Sequence, residues 1–212
     1  MTLPDYLGGI AVLTKKVGMF DQNFFSDYND DDNFNKRLVF VKMVYLFQSL
    51  TGISLGYNFV WHINGPYSKA VNGIGYIFKD CGQEYSDEIS SRNIKFVDEN
   101  NENINQKTEI YSNEIKNFLD KPEIMEIAAS LEYMKQENQI ENEALIKRLI
   151  EIKPKFSNKR SLISEAINML DHIRGALQSC QLPFLCAFLS LQFFFPSKPE
   201  FSKNKLLLPK CQ

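Results

Sequence analysis

The chain has 212 residues, 44% of them hydrophobic and 24% charged, a balance that supports a packed core and excludes a disordered polymer. Its formal net charge of −2 supplies no global field that would draw it onto nucleic acid or an anionic membrane, so any such contact has to be local. This length fits one core with an appendage.

The first residues carry an acid at Asp5 and lack a cationic start followed by an apolar run, so they do not read as a secretory signal and the expected location is the cytoplasm. Leu7, Ile10, Ala11 and Leu13 predict a helix within 3–17, with Pro4 tolerated in its first turn. Residues 19–35 form a polar connection whose Phe20, Phe24, Phe25 and Tyr28 can pin it to the core. Acids alternate over Asp27 to Asn33 as in a calcium loop, but Asp32 stands where the turn needs glycine and Leu38 where a bidentate glutamate is needed. The segment reads instead as a helix-entry loop with Asp32 or Asn33 as N-cap.

Arg37 to Leu50 is the most apolar run of the first half, too long for an ordinary strand and apolar around most of a helical circumference. It predicts a central buried helix, stopped at Thr51 and Gly52. Tyr57, Phe59, Trp61 and Ile63 alternate with a period of two, which places them on one face of a short strand. Asn64 to Tyr67 follows as a turn, and Ser68 caps a helix whose end is predicted at Gly82. Ile94 to Val97 and Ile104 to Ile110, separated by the turn-rich Asp98 to Asn103, predict a β-hairpin.

Helices are predicted over 113–119, 122–135, 141–152 and 161–176, with Asp120/Glu123 and Asn138/Glu141 spaced as capping boxes and Pro154 as a separator. The fold class is therefore mainly α with a small β-hairpin: one domain over 1–176, winged-helix-like over 33–110 and helical over 111–176, then a hydrophobic tail over 177–212. In that tail, Leu182 to Phe195 is mostly Leu and Phe. As a helix it would span about 21 Å, short of the roughly 30 Å hydrocarbon layer. Burial against the core or a partner is the favoured reading over membrane attachment.

No nucleophile with a base, paired carboxylates or phosphate-cradling loop is legible, so no catalytic residue and no cofactor is expected. Gly73 and Gly75 lack the third glycine and the preceding strand of a dinucleotide site, and helix packing accounts for them better. Cys81, Cys180, Cys186 and Cys211 lack paired spacing, and His62 and His172 are far apart, so reduced thiols are expected and no metal site. His62 should point away from the aromatic face of its strand, and His172 suits a helix end. For DNA, the groove helix would offer Lys69 without an arginine, and the wing over 84–114 would carry eight acids against three bases. The denser basic run is Lys147 to Arg160, whose Lys147, Arg148, Lys153, Lys155, Lys159 and Arg160 join Lys69 as candidate phosphate contacts.

Lys42 to Gln48, Gly56 to Ser68, Ala128 to Tyr133 and Lys153 to Phe156 together resemble the small bacterial and archaeal proteins typified by YwgA and, more distantly, the SocA-like Panacea antitoxin domain. In both groups a helix ending in a K-x-x-Y-x-x-Q-like stretch leads into an aromatic strand and a Gly-Pro turn. The resemblance covers roughly residues 35–172. It implies a regulatory, toxin-neutralising or defence-associated module binding a protein partner. Trp61, His62, Pro66 and Tyr67 are the candidate partner or pocket residues. A winged-helix DNA-binding regulator and an enzyme whose site assembles only in three dimensions stay open, as does a homo-oligomer.

Overall fold

The computed structural model describes residues 3–28, 33–96, 101–138 and 142–179. The chain is mainly helical with one two-stranded antiparallel hairpin. After a 3-10 turn at Asp5–Leu7, α1 spans Gly8–Val17, and Phe20, Phe24, Phe25 and Tyr28 in the connection that follows are all buried, as expected of aromatics in a polar connection. Phe25 sets its ring edge against Phe24, Phe40 and Phe78, so aromatic edges lock the connection onto the helices beneath it. Asn33 occupies the N-cap position of α2 but does not cap it; its side-chain amide donates to Asp27 instead. The remainder of the acidic loop lies outside the described residues.

The central helix, α2, spans Phe34–Thr51, and every residue from Leu38 to Phe47 is buried. A helix with no solvent face needs neighbours on all sides. Here they are α3 (Lys69–Ser91), α4 (Asn101–Ile115), α5 (Pro122–Asn138), α7 (Arg160–Ser179) and the hairpin. A shorter helix, α6 (Asn142–Ile152), packs on α5, and a 3-10 turn at Pro154–Phe156 leads from it into α7.

The hairpin is not where the sequence predicts it. Its strands are β1 (Val60–His62) and β2 (Gly65–Tyr67), joined by Ile63 and Asn64, so three of the four residues of the predicted turn are themselves a strand. Residues 94–96 are in no strand, and 101–115 are helical, so the proposed wing does not form. The reason is a helical stripe, Ile104, Thr108, Tyr111 and Ile115, whose last three members are wholly buried. Tyr111 donates its hydroxyl to the Met43 carbonyl at 2.6 Å and sets its ring against Phe47, tying α4 to α2.

Ser68 caps α3 as predicted, accepting from the Val71 N–H, but the helix runs through Gly82 to Ser91. Gly82 sits against the Phe20 ring. Gly75 is required by close approach, since a Cβ there would lie 2.1 Å from the Tyr28 ring, whereas Gly73 faces open space. Packing therefore explains one of the two glycines. The described residues all belong to one compact unit. The apolar tail, with Cys180, Cys186 and Cys211, lies outside the described residues, and no described helix is long and apolar enough to cross a membrane.

Candidate functional site

Three side chains on one face of α2, three residues apart, fasten the segment that leads into the hairpin. Gln48 donates its amide to the Tyr57 carbonyl at 2.9 Å and accepts from the Leu55 N–H at 2.7 Å. Tyr45 sets its ring edge against Phe59. Lys42 reaches the hairpin itself, donating from Nζ to the Pro66 carbonyl at 2.6 Å. These contacts give the K-x-x-Y-x-x-Q spacing a physical meaning: it is a row of clamps on an extended segment, because residues three apart share a helix face.

Pro66 also dictates how the hairpin is bonded. It has no N–H, so its pairing with Trp61 has to be the non-hydrogen-bonded kind, with both residues' backbone groups turned away from the other strand. On the inner side this aims the Pro66 carbonyl at Lys42. On the outer side it turns the N–H and C=O of Trp61 toward an edge that no described strand covers. Val60 and Ile63 are 63% and 75% exposed beside that edge, while the Trp61 side chain packs against Tyr133.

Beneath the hairpin lies a charge cluster. Glu126 on α5 is 4% exposed and accepts from Lys153 Nζ at 2.6 Å on one oxygen and from Lys155 Nζ at 2.8 Å on the other. The Lys153 ammonium also lies 5.4 Å from the centre of the Trp61 ring, a cation–π contact. Lys153 and Lys155 thus share one carboxylate, and Lys42 lies close enough to be influenced by all three charges. Burial and the neighbouring ammoniums of Lys153 and Lys155 pull the Lys42 amine down to about 7, against a partial offset from Glu126. Burial likewise lowers Lys153, against the opposing pull of Glu126.

The Lys42 shift makes a stability prediction with a definite sign. Between about pH 7 and the ordinary lysine value of 10.5, the unfolded chain holds a proton on Lys42 that the folded chain lacks. Stability should therefore rise with pH across that window, by up to about 1.4 kcal/mol per unit, and this contribution should be flat below it. Urea unfolding of the parent and of Lys42→Met should show a shallower rise in the variant; parallel slopes would refute the assignment.

A cavity of about 260 Å³ opens beside the hairpin, with Lys42, His62, Asn64, Tyr67 and Asn72 among its lining residues and Leu38 and Val41 giving it apolar wall. His62 is exposed, as the strand alternation predicts, and its ring lies 5.3 Å from that of Tyr67. The structure thus gathers Trp61, His62, Pro66 and Tyr67 on one hairpin. Glu126 carries no local signal in the sequence, whereas Lys42 is marked by being a lone charge in so apolar a run.

The candidate phosphate contacts are not gathered into one free basic face. Lys153 is buried and, with Lys155, held by Glu126; Lys159 pairs with Glu123, and Arg148 lies 3.4 Å from Glu151. Lys147 and Arg160 line an open concavity together with Glu143 and Glu151, and Lys69 is exposed on the first turn of α3. Glu123, which the sequence predicts to close a capping box with Asp120, pairs with Lys159, and α5 begins at Pro122. His172 Nε2 on α7 lies 3.0 Å from Glu114 Oε2 on α4. No cluster of metal-ligating side chains occurs among the described residues. No family model, curated protein or solved structure matches the chain.

Proposed function

We propose that the chain is a non-enzymatic interaction module that binds a protein partner by taking one of its extended segments as an added strand on β1. The carrying observation is the outer edge of β1, where Trp61 turns its backbone groups outward between the exposed side chains of Val60 and His62. An uncovered edge with branched apolar residues is a ready template for strand pairing, and natural proteins commonly blunt such edges with charge or proline when pairing is unwanted. Here the proline sits on the inner strand, leaving the outer one receptive. The buried cluster under β2 holds the hairpin against α2 and α5, so the edge is presented in a fixed geometry.

The antitoxin-like or defence-associated role comes from the family resemblance, and the place of action in this reading is the cytoplasm. Val60→Lys/Ile63→Lys tests it. Both side chains are exposed, so the melting temperature should stay close to that of the parent, within about 0.5 kcal/mol per site. A nuclease-resistant stoichiometric partner co-purifying from the native cell should be lost with the charged edge. Retention of that partner, or recovery of nucleic acid alone, would refute the reading.

A further inference from the structure

The geometry points to the cavity beside the hairpin as a binding site for a small organic carboxylate, its charged end at Lys42 and its apolar body against Leu38 and Val41. The site is built rather than superficial: Lys42 is 2% exposed, yet its ammonium is directed by a backbone carbonyl and not by a carboxylate. The only buried acid in the cluster, Glu126, is already held by Lys153 and Lys155, and no carboxylate lines the cavity among the described residues. Accumulating ammonium groups out of water is unfavourable unless counter-charge is supplied. An anion entering the cavity supplies it.

Arg37 and Phe34 also line the cavity, and four further polar lining groups suit a carboxylate. His62 carries an imidazole, Tyr67 a hydroxyl and Asn64 and Asn72 amides, all able to donate to oxygen. A space of about 260 Å³ admits a ligand of several heavy atoms, below the size range of drug-like sites. This inference does not rest on the partner reading, because the cavity is lined by neither Val60 nor Ile63.

Trp61 is the sole tryptophan of the chain, and its ring contacts the Lys153 ammonium, so its fluorescence is a built-in reporter of charge in this cluster. The full-length protein at mildly acidic pH would be titrated with benzoate, against chloride at matched ionic strength, and separately with inorganic phosphate. Benzoate should give a saturable change with a dissociation constant on the order of 1 mM. Lys42→Met should weaken it about tenfold or more, the loss expected for a hydrogen bond to a charged group. His62→Ala, at an exposed position that should not disturb folding, should weaken it less, and it carries the test should Lys42→Met fail to fold. The edge variant Val60→Lys/Ile63→Lys should bind benzoate as the parent does. A change linear in concentration, one matched by chloride, or one unaltered in the His62 and Lys42 variants would overturn the site. Tighter binding of phosphate than of benzoate would overturn the organic-carboxylate assignment.

Discussion

Glu126→Ala should destabilise the protein by about 3–5 kcal/mol, the loss seen when one partner of a buried ion pair is removed. Without the Glu126 carboxylate, the 4%-exposed Lys153 has its charge opposed by nothing in the cluster, with Lys42 and Lys155 repelling it. For a chain of this size the corresponding fall in melting temperature is on the order of 10 °C. The partner variant separates lost pairing from lost volume: Glu126→Leu/Lys153→Met replaces both charges with apolar side chains and should recover much of the stability. A melting temperature within a degree or so of the parent for Glu126→Ala would show that the pair does not form in solution. Recovery in the double variant but not in Glu126→Ala alone would identify the buried charge, rather than the packing, as the source of the loss.

Gly65→Ala should cost on the order of 2–4 kcal/mol and loosen the hairpin selectively. Two effects add. The backbone at Gly65 has φ +85°, a left-handed conformation that costs a side-chain-bearing residue roughly 1–2 kcal/mol. A Cβ there would also lie 2.5 Å from Ser130 Oγ, so α5 or the hairpin has to move, and overpacking of this kind typically costs about 1–3 kcal/mol. Ser130→Ala in the same chain should return the steric part only, and Ser130 Oγ is buried with no hydrogen-bond partner among the described residues, so its removal alone should cost little. Thermal melts of the single and double variants measure the two parts. A double variant as stable as the parent would show that the left-handed backbone carries no penalty; a Gly65→Ala protein with parental stability would refute both.

Local pattern was enough wherever a signal acts over a few residues. The length and apolar density of residues 37–50 identified a helix buried on all sides, because no solvent-facing stripe interrupts it. Ser68 was legible as a cap because its acceptor reaches a backbone donor three residues on. The alternation of Tyr57, Phe59 and Trp61 held, and it stopped at Ile63 because that residue lies in the turn. Helices α5, α6 and α7 appeared close to their predicted positions because Pro154 and the apolar spacing delimit them.

Where the sequence misled, a long-range contact outweighed a local preference. The isoleucines and phenylalanine of 94–110 suggested two strands, yet Thr108, Tyr111 and Ile115 are buried together on one helical face, with Tyr111 tied to α2, and that burial decided the conformation of α4. Gly82 suggested a helix end, but its missing side chain makes room for Phe20 instead. The run of bases from Lys147 to Arg160 looked like a surface for phosphate, and the carboxylates that hold three of its lysines lie earlier in the chain on α5, at Glu123 and Glu126.

By itself, the sequence determined the helical fold class, the central buried helix and the aromatic strand with its Gly-Pro neighbour, since each is written in periodicity, caps and turn residues. Only the tertiary structure decided that Lys42, Glu126 and Lys153 meet beneath that strand, and that one edge of it is left uncovered. Charge pairing and edge exposure depend on which elements become neighbours in space, and no spacing along a single segment carries that information.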